Sequence, residues 1–349
     1  MLHPATGDKK MTMCKFEYLW LDGLEPAHLR AKTKVVELDG YDGSLEAIPE
    51  WNFDGSSTCQ AAGSDSEVIL KPVRVYPDPE RTNAYLVVSE TLTTERKPHA
   101  SNTRALMDEK AIDGFWFGFE QEYVLMNDSG RPIGFPTGGY PEPQGPYYCA
   151  VGYQFVAGRD IVEEHLDACL GAGLGITGVN AEVMLGQWEF QCFGEGLKAC
   201  DDLIVARYLL FRASERHRVE VNMHPKPIAG DWNGSGMHTN FSYPHLREVA
   251  GEDYIHKLLK GFGERHETHL KEYGSGNELR LTGRHETASF DKFSYGVADR
   301  GASIRIPIFT VQDGWKGYLE DRRPSSNSDP YRVANRIIQT VVDIHKEIL

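Results

Sequence analysis

The chain has 349 residues and 39.2 kDa, with 40% hydrophobic and 25% charged residues, the balance of a globular protein long enough for two domains. A net charge of −14 and a pI near 5.4, with no basic stripe, exclude a nucleic-acid surface. The six cysteines show neither CxxC spacing nor a compact framework, and no leader or long apolar segment can be read, which predicts a reduced, cytoplasmic protein without membrane contact.

Residues 1–13 are polar and patternless and read as an N-terminal extension. Phe16-Glu-Tyr-Leu-Trp-Leu21, Thr33-Lys-Val-Val-Glu-Leu38 and Ala84 to Ser89 read as strands, so 14–97 is predicted to be a small strand-rich domain. The segment Glu95-Arg-Lys-Pro-His99 is the expected linker into a helix beginning near Ser101. Residues 98–349 then form a larger domain in which strands alternate with helices at Asp160 to Leu170, Cys200 to His217 and Tyr331 to Ile348. Gly173-Leu-Gly-Ile-Thr-Gly178 matches GxGxxG, but it follows a helix and precedes a strand, the reverse of a dinucleotide fingerprint, and is read as a helix stop. No GxxxxGK[ST] loop occurs, so if ATP is used its phosphates must be held by metal ions and arginines.

Two acidic pairs carry the chemistry. Glu120 and Glu122 lie in a β-prone run, Trp116 to Leu125, where residues two apart share a face. Glu182 and Glu189 lie in two apolar runs too close together for anything but a tight turn; a two-residue turn at Leu185-Gly186 would set them opposite each other. A Glu at i and i+2 is usually the solvated face of an edge strand, but here both pairs are embedded in aromatic and aliphatic residues. Opposed like charges need a bound cation or a shared proton, and all-oxygen ligands favour Mg²⁺ or Mn²⁺ over zinc. Arg280 to Arg323 holds eight Lys/Arg against six Asp/Glu in an otherwise acidic chain, a place for an anionic substrate. Cys192, two residues beyond Phe190, reads as a small core residue rather than a nucleophile.

Several motifs, in order, resemble those of the glutamine synthetase family, in its shorter, eukaryotic-type class. They are Trp51-Asn-Phe-Asp-Gly-Ser-Ser57, Gly118-Phe-Glu-Gln-Glu-Tyr123, the Asn180 to Gln191 hairpin, Asn233-Gly-Ser-Gly-Met-His-Thr-Asn240, Arg280-Leu-Thr-Gly-Arg-His-Glu-Thr287, Ala302-Ser-Ile-Arg305 and Tyr318-Leu-Glu-Asp-Arg-Arg-Pro324. The resemblance implies an α+β fold: a small β-grasp-like N-terminal domain and a larger α/β catalytic domain of the glutamine synthetase/guanido kinase type. It implies ATP-dependent condensation of L-glutamate with ammonium through γ-glutamyl phosphate, with at least two Mg²⁺ or Mn²⁺ ions per site.

By the same resemblance, one ion is held by Glu122, Glu182 and Glu189 and the second by Glu120, His238 and Glu320. ATP would be contacted by Glu120, Glu189, Asn240, Phe241, Ser242, Arg300, Arg305 and Tyr318, and glutamate by Trp232, Asn233, Gly234, Arg280, Arg300 and Arg322. Ammonium would meet Asp54, Ser57 and Glu286, with Asp54, Glu286 and Arg300 catalytic and Glu286 on a mobile flap that excludes water. Taken alone, Asp54 reads as an Asp-Gly turn residue and His238 as a hydrogen-bonded histidine. The family's assembly implies a homo-oligomer of two stacked pentameric rings with sites between neighbouring subunits. Asp299 departs from the Asn common before Arg300. A glutamate–polyamine or other amine ligase on the same scaffold, and a non-catalytic nitrogen-sensing relative, are the competing readings.

Overall fold

A computed structural model describes residues 11–348, except for the side chain of Glu109. Residues 1–10 of the expected extension therefore lie outside the described residues, while 11–13 open the first strand. The chain divides into two compact units, one reaching to Asn102 and taking in Gly171–Gly173, the other beginning at Thr103.

The first unit is a five-stranded sheet of order β2-β1-β5-β4-β3, built from β1 (Met11–Leu21), β2 (Leu29–Asp39), β3 (Trp51–Asp54), β4 (Glu67–Pro77) and β5 (Ala84–Leu92). β1 and β5 run parallel and the other pairs antiparallel, the β-grasp-like arrangement. Period-two alternation puts Cys14, Phe16, Tyr18 and Trp20 on one face, where they pack with Phe53, Leu70 and Val87 into a core. Asp54 ends β3 and caps the single turn that follows.

The second unit holds an eight-stranded sheet with order β11-β12-β13-β10-β6-β8-β7 and β9 paired to β6. Its strands are β6 (Trp116–Met126), β7 (Ile176–Ala181), β8 (Gln187–Glu195), β9 (Glu220–Asn222), β10 (Met237–Ser242), β11 (Tyr295–Val297), β12 (Ile304–Ile306) and β13 (Leu319–Asp321). All pairs are antiparallel except β11 with β12. Eight helices belong to the described residues: α1 (Glu109–Ile112), α2 (Arg159–Gly171), α3 (Leu197–His217), α4 (Pro244–Glu248), α5 (Glu252–Glu264), α6 (His266–Leu270), α7 (Ile308–Gln312) and α8 (Pro330–Ile348). α3 packs on β6, β8 and β9, and α8 lies against α3 and α5.

The long helices fall where their apolar periodicity puts them, and Pro330 opens α8 at the position where a missing N–H costs nothing. Gly173, at φ +75°, follows α2, and Leu174 N–H returns to Cys169 O, so the GxGxxG segment is a helix stop. The helix expected near Ser101 is replaced by a turn at Arg104–Leu106 and the four residues of α1. Asp108 accepts from Lys110 N–H and so starts α1 late, while Gly114, at φ +73°, ends it early. Cys192 is buried, as a small core residue should be.

Candidate active site

β6 is central to the site because its alternation sorts polar from apolar. Glu120 and Glu122 face one side of the sheet; Phe119, Gln121 and Tyr123, none with any exposure, face the helices. The flanking strands add groups in register: His238 of β10 opposes Glu120, Glu189 of β8 opposes Glu122, and Glu320 of β13 opposes both Asn240 of β10 and Arg305 of β12.

The hairpin differs from the sequence expectation. Glu189 stands opposite Asn180, not Glu182, and the connection spans residues 182–186 instead of two residues at Leu185-Gly186. Burial decides this: Met184 and Leu185 drop into the core from the loop, and Gly186, at φ +84°, leaves no room for a side chain because a Cβ would lie 2.7 Å from Ile133 O. Glu182 still reaches the same space from the loop's first residue, so the acids converge by a route that a two-residue turn would not provide.

Oxygens of Glu122, Glu182 and Glu189 lie within 4.8 Å of one another, as do ligand atoms of Glu120, Glu189 and His238. Burial, reinforced by the neighbouring carboxylates, lifts the Glu182 carboxyl to about 8 and that of Glu189 to about 10. Burial also raises Glu120 and Glu122. His238 is held well below the ordinary imidazole range by burial and by Arg322 and Arg280, and its Nε2 accepts from Arg280 Nη2 at 3.0 Å. Its Nδ1 is 3.3 Å from Glu120 and 3.7 Å from Glu320. Glu320 accepts hydrogen bonds from Arg305 and Arg322, and the tighter group with Glu120 and His238 takes in Glu189 rather than Glu320. Buried carboxylates with one imidazole and no thiolate form a donor set suited to Mg²⁺ or Mn²⁺.

A cavity of about 250 Å³ gathers these acids with Asn233, Gly234, Arg280, Glu286, Arg300, Arg305 and Arg322. Arg280 is buried, and Gly236 is what lets it in: a Cβ there would sit 2.3 Å from its Nη2. His285 and Glu286 both take positive φ, +53° and +56°, an unusual backbone for non-glycine residues at the tip of the segment expected to be a flap. Asn240, Phe241, Ser242 and Tyr318 line an adjoining, mostly apolar cleft of about 470 Å³, and Glu120 borders both spaces. Trp232 does not line the cavity; it packs against Phe135 and Tyr140 and anchors the loop that carries Asn233. Asp299 accepts from Gly301 N–H at 2.8 Å.

Asp54 and Ser57 belong to the first unit. There the Asp54 carboxylate is exposed and accepts from Ser56 N–H, Ser56 Oγ and Ser57 Oγ, bonds that keep its pKa below the usual range. Sequence reasoning did not single out Tyr148, whose ring lies 5.9 Å from the Arg300 guanidinium, nor Gln187. The Gln187 amide donates to Glu122 Oε2 at 3.3 Å and to Gly234 O at 2.9 Å, tying an acid to the Asn233–Gly236 loop. An amide within the quoted hairpin motif was the available signal.

The profile described as "Glutamine synthetase, catalytic domain" matches residues 97–250. The glutamine synthetase of Bradyrhizobium diazoefficiens is 53% identical over 343 residues, 97% of this chain and 98% of the relative. That of Rhizobium meliloti is 56% identical over 330 residues, 93% of this chain and 99% of the relative. A cryo-EM structure of Plasmodium falciparum glutamine synthetase superposes with a TM-score of 0.76 at 14% identity, over 95% of this chain and 72% of that one, a likeness of fold alone. With half its residues shared across nearly the whole length of such relatives, and the acids of its motifs converging on one face of one sheet, the chain belongs to the glutamine synthetase family.

Proposed function

We propose that the chain condenses L-glutamate with ammonia at the expense of ATP, giving L-glutamine, ADP and phosphate through γ-glutamyl phosphate. The observation that carries this reading is the buried set of carboxylates, with one imidazole, facing Arg280, Arg300, Arg305 and Arg322 across a single cavity. Such a site offers carboxylates to bound cations and guanidinium groups to a polyanionic substrate within one cavity.

Glu122, Glu182 and Glu189 would hold one divalent ion, and Glu120, His238 and Glu320 a second, with Glu189 near enough to both groups to be shared. When bound, Mg²⁺ or Mn²⁺ shields the triphosphate and polarises the transferring phosphoryl group. Arg300 and Arg305 balance the phosphate charge, with Tyr318 and Asn240 to Ser242 on the nucleotide's side of the site. Asn233, Gly234, Arg280 and Arg322 orient glutamate so that its γ-carboxylate, inert to amines as it stands, attacks the phosphoryl group. Trp232 supports this from behind the loop.

Ammonium lacks a lone pair, so a carboxylate must attract it and take its proton before the nitrogen attacks the acyl phosphate. Asp54, held ionised beside Ser57, and Glu286 are assigned to that task, with Glu286 also covering the acyl phosphate against water. Asp54 acts from a neighbouring subunit in a homo-oligomer of two stacked five-membered rings. We assign the cytoplasm from the cysteine usage of the sequence, six residues with neither CxxC spacing nor a compact framework; among the described residues no helix is long and apolar enough to cross a membrane.

The test is ATP-dependent glutamine formation from glutamate and ammonia, repeated with putrescine or methylamine in place of ammonia. Turnover of the amines without turnover of ammonia would transfer the assignment to an amine ligase. No turnover of either, with Mn²⁺ bound, would favour a non-catalytic relative.

A further inference from the structure

β6 is gripped from behind at the residue between its two acids. Gln121 is fully buried and faces away from Glu120 and Glu122. Its amide nitrogen donates to Glu122 O at 2.9 Å and to Ser326 O and Oγ at 3.0 and 3.1 Å. Ser326 Oγ donates to the same Glu122 O at 2.6 Å. The Gln121 carbonyl oxygen accepts from Arg207 Nε at 2.8 Å and from its Nη2.

Arg207 projects from α3 and is 8% exposed. Its remaining donors go to Ser326 O at 3.2 Å, Ser328 O at 3.0 Å and Met237 Sδ at 3.1 Å. All of these hydrogen-bond partners are neutral; Asp329 is the acid whose charge reaches the guanidinium. A buried cation bonded to neutral acceptors is a costly way merely to pin a helix to a sheet, where an apolar side chain would serve. What its bonds share is their target. They register β6 with the start of β10, one residue before His238, and with the segment that leaves β13 after Glu320 and Arg322.

We propose that Arg207, acting through Gln121 and Ser326, is a positioning residue that holds the carboxylates of β6 in register with His238 and Glu320 and so sets the affinity of the site for its divalent ions. The inference rests on the metal reading above. It assigns no ligand, only the support without which the ligands would sit loosely.

The experiment titrates Mn²⁺ into the full chain, stripped with EDTA and free of substrates, by electron paramagnetic resonance, and records melting temperature in EDTA. Gln121→Glu keeps an acceptor for Arg207 but loses both amide donors. It should hold or raise the melting temperature while weakening Mn²⁺ binding about 10–100-fold. Ser326→Ala should weaken binding about fivefold, what one net hydrogen bond is worth, and it adds no charge should Gln121→Glu fail to fold. Val341→Ala, a cavity in α8, should lower the melting temperature and leave binding within about twofold. Mn²⁺ binding unchanged in Ser326→Ala and in folded Gln121→Glu would overturn the inference, as would an equal loss in Val341→Ala. Wild-type protein that takes up no Mn²⁺ would refute the metal reading itself, and this inference with it.

Discussion

Glu122 and Glu189 stand directly opposite each other on adjacent strands, both more than nine-tenths buried, with Glu182 reaching the same point from the hairpin loop. Opposed like charges destabilise a sheet. The sequence nonetheless places them there, and that cost is the measurable signature of the site.

Without metal, Glu182 and Glu189 keep their protons to about 8 and about 10, whereas in the unfolded chain both lose them near 4.5. The folded state thus binds more protons between those limits, and stability must fall as pH rises through the window. In EDTA, the melting temperature should decline from pH 6 to 9, and Glu189→Gln should flatten the decline. Saturating Mg²⁺ should raise and flatten it too, with proton release seen by calorimetry in buffers of different ionisation enthalpy. A wild-type slope identical to that of Glu189→Gln would defeat the assignment.

Glu189 borders both groups of potential ligands, so its loss should be felt by both ions. Glu189→Ala should weaken Mg²⁺ binding by at least about a hundredfold, the upper end of what even an outer partner contributes. Undiminished binding by titration would contradict the ligand set.

Asp54 and Glu286 are given different tasks, and the two should fail differently. Asp54→Ala should lower kcat/KM for ammonium by about 10²–10⁴ while leaving ATP binding unchanged. Glu286→Ala should hydrolyse ATP in the presence of glutamate without an equal yield of glutamine. Steady-state kinetics unchanged in both variants would remove these residues from the mechanism.

Gly236 makes room for Arg280 at a distance no Cβ tolerates. Gly236→Ala should displace the guanidinium, raise KM for glutamate about tenfold or more, and cost about 1–3 kcal/mol of stability. A crystal structure of the variant with Arg280 displaced, together with a normal KM, would show that glutamate does not depend on that arginine.

Much of this was legible in the chain. The alternation of Phe119, Gln121 and Tyr123 with Glu120 and Glu122 fixes which side chains of β6 share a face, because period two is a local property of the extended backbone. The apolar stripe of Tyr331 to Ile348 and the helix stop at Gly173 are local in the same way. What the chain alone did not reveal was the hairpin register, since burial of Met184 and Leu185, not the number of residues between two apolar runs, set where the strands turned. Likewise, the pairing of Glu320 with Arg305 and Arg322, and the bond from Arg207 to Gln121, join residues that only tertiary packing brings within reach. Local alternation chose the faces; close packing over the whole sheet decided which charges meet.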